Sequence, residues 1–304
     1  MGMISLLLLL SCLYWQVAAQ TVIINDVPRD TSYTVHSSYI KEVKRFPFIR
    51  VASAEIPAGI KAMEAIPYKS TGNRELTLSV YRPDNDEILP AVMMIHGGGW
   101  NSGSPDMQKA LALQLARNGY VTFTVEYRLS PEALFPAGLE DLEEAAAWFI
   151  DHAAKFGADP ASIAVSGCSA GGQLAALIGT RNREGRFRAV INIDDISTFV
   201  NPESVDRAEK ARLSGEKPPA DALWLGGSYS QKPHHWEAAS ALFQLHRESA
   251  PVCFINSAIP VSTTDVTNIS GCSTAWGSIV RCTPLTTPPT PSGTSIPGIS
   301  PLSG

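Results

Sequence analysis

The stretch IAVSGCSAGGQLAALI, residues 163–178, decides the fold of this chain. Its apolar start, Ile163–Val165, predicts a short buried strand, and its leucine-rich end predicts a helix. Between them, Gly-Cys-Ser-Ala-Gly fits the pattern G-x-S-x-G in the strand-turn-helix context that gives this pattern meaning. A serine in so tight a turn projects its Oγ from the sheet edge, and glycines are needed because other side chains would collide with neighbouring backbone. Ser169 is therefore the predicted nucleophile, although the pattern alone also fits an ordinary glycine-rich turn.

Two groups of backbone N–H donors are predicted beside this serine. The N–H of Ala170 lies at the start of the helix, where partial positive charge stabilises an oxyanion. A second motif, HGGGW at residues 96–100, directly follows an apolar run, in the place of the loop that completes the oxyanion hole of esterases. Gly98 and Gly99 are the predicted donors of that loop, with a register shift of one residue left open. His96 is interpreted as orienting the loop rather than as a general base.

From Glu75 onward the chain alternates between strand and helix patterns. The predicted strands are Leu76–Tyr81, Ala91–Ile95, Val121–Tyr127, Ile163–Val165, Ala189–Ile193 and Val252–Ile255. One predicted helix is Met107–Asn118, ended by Gly119, with Leu111, Leu115 and neighbouring alanines on one face. Another is Ala137–Phe156, ended by Gly157, with a buried stripe of Leu142, Ala145, Phe149, Ala153 and Phe156. The helix after Ser169 carries Leu174, Leu177 and Ile178.

Repeated alternation of this kind predicts an α/β fold with a doubly wound, mostly parallel sheet. Ligands bind such sheets at the edge formed by the carboxyl ends of the strands. The polar stretch from 195 to 235, rich in Pro and Gly, is predicted to be an insertion over that edge.

Composition and charge exclude some classes of partner. The chain has 304 residues, 44% apolar and 17% charged, which suits one large globular domain. Its formal net charge of −5 and the absence of a basic run argue against nucleic acid or an anionic membrane surface as a partner. The five cysteines do not form the pattern of a disulfide framework.

Residues 1–19 are interpreted as a signal peptide. The apolar core Ile4–Trp15 is too short to span a bilayer, and a small-residue cleavage site, Val17–Ala19, follows it. These features predict a secreted or periplasmic protein without stable membrane insertion. Two alternatives stay open: a lipid attached to Cys12, and a retained membrane anchor.

Together HGGGW, GCSAGG at 167–172 and YRLSPEALFPAGLEDLEEAAAWF at 127–149 resemble the esterase/lipase branch of the α/β-hydrolases. The likeness covers roughly Glu75–Ser257 and is most similar to secreted bacterial carbohydrate esterases that remove acetyl or feruloyl groups from plant polysaccharides. It implies a serine carboxylic-ester hydrolase that works through an acyl-enzyme, with a small-molecule or polysaccharide ester as substrate and no metal or other cofactor. Two alternatives remain: a peptidase or amidase of the same fold, and a non-catalytic carbohydrate-binding remnant.

The resemblance also implies a Ser-Asp-His triad, with the acid after the family's seventh strand and the histidine after its eighth. The sequence departs from the family at this point. The histidines after Ser169, at 234, 235 and 246, all precede the strand Val252–Ile255. Asp194 and Asp195 end a different strand from the one that carries the family's acid. Asp265 stands roughly where that acid is expected, but the residues around it do not match the family. The triad acid and base are therefore left unassigned, and Tyr127, Arg128 and Asp141 in the shared stretch are given structural roles only.

The tail, residues 259–304, differs in composition from the rest. Ser, Thr, Pro and Gly make up 29 of its 46 residues, and only Asp265 and Arg281 are charged. One interpretation is a linker. The favoured interpretation is translation in the wrong reading frame. In a frame shifted by one base, two bases of every codon are already determined by the residues written here, and only one base is free. With permitted codons, residues 261–276 can become RFHDGRDEYQWMLDSM and residues 282–298 can become VHTFDDTPHPFWHFHPW, similar to the acid and histidine loops of the family. Residues 20–258 are then an α/β-hydrolase domain whose last strand and helices are missing.

Overall fold

A computed structural model describes residues 21–255 except 25–26, 73 and 195. The predicted signal peptide and the tail from 259 lie outside the described residues. The strands are β1 (Thr21–Ile24), β2 (Val27–Asp30), β3 (Ile60–Ser70), β4 (Glu75–Pro83), β5 (Leu89–Ile95), β6 (Val121–Val125), β7 (Ala158–Cys168), β8 (Ala189–Ile193) and β9 (Val252–Ile255). The helices are α1 (Val35–Glu42), α2 (Asp106–Arg117), α3 (Ala137–Asp151), α4 (Ala170–Thr180), α5 (Pro202–Ser214), α6 (Ala220–Leu225) and α7 (Pro233–Ala239). None of these described helices is long and apolar enough to cross a membrane.

Within the described residues, seven strands form one mixed sheet in the order β3-β4-β6-β5-β7-β8-β9. The pairs β3–β4 and β4–β6 are antiparallel, and the five strands from β6 to β9 are parallel to one another. The predicted doubly wound, mostly parallel sheet is confirmed. Because β5 and β7 are neighbouring parallel strands, the motifs that follow them leave the sheet at the same edge.

Strand β5 shows why the sheet needs helices on both faces. Ala91, Met93 and Ile95 belong to the large core cluster on one face, together with residues of α3 and α4. Val92 and Met94 point the other way and pack against α2. A strand buried on both faces reads as a continuous apolar run, which is the pattern that predicted it.

Helix α3 confirms the predicted stripe, because Leu142, Ala145, Phe149, Ala153 and Phe156 are all buried. The α-helix itself ends earlier than expected, at Asp151. The chain continues as a 3-10 turn over Ala153–Phe156, and Gly157 ends it in the left-handed conformation at φ 60°.

The predicted face of α2 is right for the alanines and wrong for Leu111. Leu111 is 40% exposed, and Leu115 is only partly buried at the edge of the cluster. The residues that face the sheet are Gln108, Ala112, Leu113 and Ala116. Leucines at every second position, 111, 113 and 115, do not determine the phase of a helix. The two alanines, four positions apart, determine which side of the helix faces the sheet because their small side chains let the helix lie close to it. The close approach is seen at Thr122, whose hydroxyl donates to the Ala112 carbonyl at 3.1 Å.

Four of the six predicted strands, β4 to β7, differ in their bounds. Strand β6 ends at Val125, two residues before the predicted end, and β7 is much longer than Ile163–Val165. The edge strand β3 was not predicted. It has register shifts on either side of Ile66–Pro67 and a residue at φ 54°, Ala65, so its side chains do not alternate cleanly. An edge position is where a strand tolerates proline.

The insertion lies where the sequence predicts it, over the carboxyl edge of the sheet. It contains α5, α6 and the start of α7. Trp224 of α6 stacks on Trp100, just beyond β5, with ring centroids 5.0 Å apart, and Phe199 contacts the same ring at 5.3 Å.

Candidate active site

Ser169 occupies a strained turn between β7 and α4. Its φ of 52° and ψ of −128° lie outside the regions that a serine ordinarily adopts. Its N–H donates to the Ile193 carbonyl at the end of β8 at 2.9 Å, and its carbonyl accepts from the Gln173 N–H at 3.1 Å. Such a backbone costs about 1–3 kcal/mol and persists only where its surroundings hold it. The predicted strand-turn-helix geometry is confirmed.

The two glycines of the motif are required by close approach. A Cβ on Gly167 would collide with the carbonyl oxygen of Gly171. A Cβ on Gly171 would collide with the carbonyl oxygen of Ile95 and lie 2.6 Å from that of His96. The two glycines are therefore required for β7, α4 and the end of β5 to pack this closely.

The HGGGW loop passes directly beside the nucleophile. Ile95, the last residue of β5, pairs with Gly167 in the sheet. A Cβ on Gly97 would lie 3.2 Å from the Ser169 Cβ. Gly98 and Gly99 follow and are partly exposed.

The N–H groups of Gly98, Gly99 and Ala170 donate to no residue in the described part of the chain. They are consequently available to a substrate oxygen. Their role as the oxyanion hole stays a prediction.

His96 orients this loop. Its side chain is buried, with its Nδ1 2.8 Å from the Gly97 carbonyl oxygen, so Nδ1 carries the proton in that contact. The ring stacks on Tyr127 at 4.6 Å, and the Tyr127 hydroxyl donates to the His96 carbonyl at 2.9 Å. Burial raises the pKa of Tyr127, which keeps the hydroxyl a donor. These contacts agree with the interpretation of His96 as a loop-orienting residue.

Gln173 ties the loop to the helix and the insertion, a role that sequence reasoning missed. Its Oε1 accepts from the Trp100 Nε1 at 3.0 Å, and its Nε2 donates to the Ala239 carbonyl at 2.7 Å. Gln173 is fully buried, so both ends of its amide are used inside the protein. The sequence feature that could have indicated this role is a glutamine one helical turn after Ser169.

The N-terminal region also reaches the site. The Asn101 amide donates to the Asp30 carboxylate at 3.2 Å, and Asp30 and Ser102 form an isolated β-bridge. Burial raises the pKa of Tyr33, and electrostatic repulsion from the ionised form of Cys168 raises it further. Nothing in the sequence around Asp30 and Tyr33 indicated these contacts, because they join segments about 70 to 135 positions apart.

Of the late histidines, His246 lies too far from Ser169 to act as its base. The His246 N–H donates to the Ser249 hydroxyl, which donates to the carbonyl of Thr180 at the far end of α4. Eleven helical residues at about 1.5 Å each put that end about 16 Å from Ser169. His235 lies 2.8 Å from the Leu225 carbonyl through Nδ1 and packs on Phe135, while His234 is exposed.

The triad acid and base remain unassigned. Asp194 follows β8 at φ 51°, and its N–H donates to the Ile255 carbonyl at 3.0 Å. Asp195 and Asp265 lie outside the described residues. Among the residues that the structure describes, the Ser169 hydroxyl has no hydrogen-bond partner. The same part of the chain contains no group of three His, Cys, Asp or Glu side chains placed to hold a metal ion.

Arg128 and Asp141 have the structural role expected of them. The guanidinium binds the buried carboxylate through Nε and Nη2, each at 2.8 Å, and the Lys69 ammonium binds it at 2.8 Å. Burial alone would raise the pKa of Asp141, but the hydrogen bonds from Arg128 and Lys69 outweigh it and hold that pKa below its ordinary value.

Comparison with known proteins places the site in a family context. The family model described as BD-FAE matches residues 78–259. Carboxylesterase NlhH of Mycobacterium tuberculosis is 38% identical over 118 residues, 37% of this chain and 36% of that protein. An arylesterase of Saccharolobus solfataricus is 33% identical over 120 residues, 39% of each chain. The chain thus spans well under half the length of these curated relatives.

Solved structures share the fold over a longer span. An esterase from Pyrobaculum calidifontis is 26% identical, with a TM-score of 0.60 over 82% of this chain and 79% of that one. A truncated carbohydrate esterase from gut microbiota has the same TM-score at 17% identity, over 74% of this chain and 87% of that one, which is a likeness of fold alone. The expected α/β-hydrolase fold is confirmed.

Proposed function

We propose that this chain, which belongs to the BD-FAE family of α/β-hydrolase esterases, hydrolyses carboxylic esters through an acyl-enzyme on Ser169. The observation that carries the proposal is the strained Ser169 turn with the HGGGW loop against it. A Cβ on Gly97 would lie 3.2 Å from the Ser169 Cβ, and this close approach supports the proposal that N–H groups of the loop bind the carbonyl oxygen of an ester attacked by the serine.

The reaction follows from this arrangement. The Ser169 Oγ attacks the ester carbonyl carbon, and negative charge develops on the carbonyl oxygen. The N–H groups of Gly98, Gly99 and Ala170 receive that oxygen, and each such donor is worth about 3 kcal/mol of transition-state stabilisation. The tetrahedral intermediate expels the alcohol, and water then releases the acid from Ser169. A base must take the serine proton and return it to the alcohol; the residue that does so is unassigned.

For the substrate we propose an acetyl or feruloyl ester of a plant polysaccharide or oligosaccharide. The proposal draws on the sequence resemblance stated above and on the carbohydrate esterase among its structural neighbours. The rival within the fold is a peptidase or amidase, whose serine turn and oxyanion loop look alike. A panel that compares p-nitrophenyl acetate with acetyl p-nitroanilide separates them: we expect turnover of the ester, and equal or better turnover of the anilide would favour the rival.

We also propose that the chain is exported and that residues 259–304 are read out of frame. In that account the chain as written is nearly inactive, since it lacks a positioned acid and base. The non-catalytic alternative, a carbohydrate-binding remnant, predicts retained polysaccharide binding with no ester turnover even after the frame is restored. Resequencing the gene around the Ile259 codon tests the frame directly.

A further inference from the structure

Residues 33–50, here called the N-terminal arm, follow a segment that is fixed beside the HGGGW loop. Asp30 accepts a hydrogen bond from the Asn101 amide at 3.2 Å and forms an isolated β-bridge with Ser102, and the arm begins three residues later. The arm contains α1, whose N-terminus is closed by a capping box between Thr34 and Ser37. The start of the arm is therefore held next to the loop that passes Ser169.

The arm is basic on an acidic protein. It carries Lys41, Lys44, Arg45 and Arg50 against one acidic residue, Glu42, whereas the chain as a whole has a net charge of −5. Lys41 and Glu42 approach to 3.8 Å, an exposed pair of little energetic weight.

The other three cations of the arm are exposed, and they form no ion pair with any residue in the described ranges. Their charge is therefore available to an anionic ligand.

The arm also presents aromatic surface. Phe48 is 64% exposed, and its ring meets that of Phe46 edge to face at 6.1 Å. The Arg45 guanidinium lies 5.3 Å from the centre of the Phe46 ring, so a cation and two aromatic rings are grouped together. Aromatic faces pack against the apolar C–H faces of sugar rings, and exposed cations attract carboxylates.

We propose that the N-terminal arm is a docking surface for an acidic polysaccharide, a glycan whose sugars carry uronate carboxylates. Phe48 would pack on a sugar ring, and Lys44, Arg45 and Arg50 would meet the carboxylates while the esterified sugar reaches Ser169. This inference rests on the proposed function for its biological purpose, but the binding it describes needs no turnover.

The test measures binding of the full chain to de-esterified glucuronoxylan and to the same polymer after reduction of its carboxyl groups. We expect tighter binding to the acidic polymer. The variant Lys44→Glu with Arg45→Glu should weaken that binding about tenfold, through lost attraction and added repulsion. Raising the ionic strength from about 0.01 M to about 1 M should reduce the preference for the acidic polymer over the reduced polymer, because the Debye length falls from about 30 Å to about 3 Å. Phe48→Ala should weaken binding to both polymers.

Matched controls lie at the other edge of the sheet. Arg117→Glu with Arg183→Glu makes the same charge change at the last residue of α2 and just after α4, where both helices end at the amino edge of the sheet, opposite the HGGGW loop. Ile88→Ala removes an apolar side chain as exposed as Phe48, 65% against 64%. Both controls should bind like the parent, and circular dichroism should show the same fold in all variants.

Several results would overturn the docking proposal. These are equal binding to both polymers, unchanged binding by the charge-reversed variant, or binding to phosphatidylglycerol vesicles with none to either polymer. Because no ester is present, failure here is distinct from failure of the proposed hydrolysis.

Discussion

At Gly171, β7, α4 and the end of β5 come so close together that no side chain fits. The variant Gly171→Ala forces the Ile95 and His96 carbonyls to move, and with them the HGGGW loop. We expect a loss of about 1–3 kcal/mol in the free energy of unfolding, as for other overpacked sites. Ester turnover by the frame-restored protein should fall sharply. Chemical denaturation and p-nitrophenyl acetate hydrolysis measure the two effects.

Gly185→Ala is the control for that variant. Gly185 has a φ of 64° with nothing within 4 Å of the added carbon, so alanine there costs about 1–2 kcal/mol of backbone strain alone. Its turnover should equal that of the parent. If Gly171→Ala also keeps full turnover, the glycine is not needed to hold the nucleophile turn.

Ser169 and its glycines could be predicted from the sequence because the constraint is local: a few residues of backbone around one turn decide it. Gln173, Asp30 and Tyr33 could not, since each acts through contacts between distant segments. The sequence pattern does not tell which of the three consecutive glycines supply the oxyanion donors, because a shift by one residue leaves the pattern unchanged. The acid and base could not be found by either route.

Among the elements, α2 shows how packing overrides a pattern. Leu113 is buried against Val92 and Met94, whereas Leu111, two positions earlier, is 40% exposed. We expect Leu113→Ala to lower the free energy of unfolding by about 2–5 kcal/mol, through lost burial and a cavity. Leu111→Ala should change it by no more than about 0.5 kcal/mol. Urea denaturation of the pair decides the phase of the helix, and equal losses would mean that the helix is rotated from the position described.

Asp141 links α3 to the strands through Arg128 and Lys69. Since its pKa in the folded state is held below its ordinary value, the carboxylate stabilises the fold above about pH 4, its unfolded pKa, and the effect disappears as the pH falls through the lower folded value. Asp141→Asn removes the ion pair of Arg128 and leaves Lys69 with Glu144 alone, and it should cost about 3–5 kcal/mol at pH 7.

The difference between Asp141→Asn and the parent should shrink in acid. Denaturation curves at pH 7, 5 and 3 test this. A difference that is constant with pH would show that the carboxylate does not titrate with folding.

For the molecule as a whole, restoring the reading frame from residue 259 should raise both stability and activity. As described, β9 has a single neighbour in the sheet, β8, and Ile255 is 36% exposed. An apolar edge strand of that kind invites association. If the chain as written has no triad acid and base, the proposed oxyanion donors and substrate binding alone give an acceleration of about 10³–10⁴-fold over water. Soluble yield, melting temperature and acetyl-ester turnover of the two proteins, expressed side by side, measure the gain; equal values in the chain as written would refute the frame account.

The central claim is that Ser169 is the nucleophile, and covalent capture tests it most directly. The frame-restored protein and its Ser169→Ala variant are treated with a fluorophosphonate, which phosphonylates an activated serine, and the digested peptides are mapped by mass spectrometry. We predict one adduct, on the peptide that contains residues 167–172, and none in the variant, whose ester turnover falls by several orders of magnitude. An adduct on another residue, or undiminished turnover by a folded Ser169→Ala protein, would contradict the account.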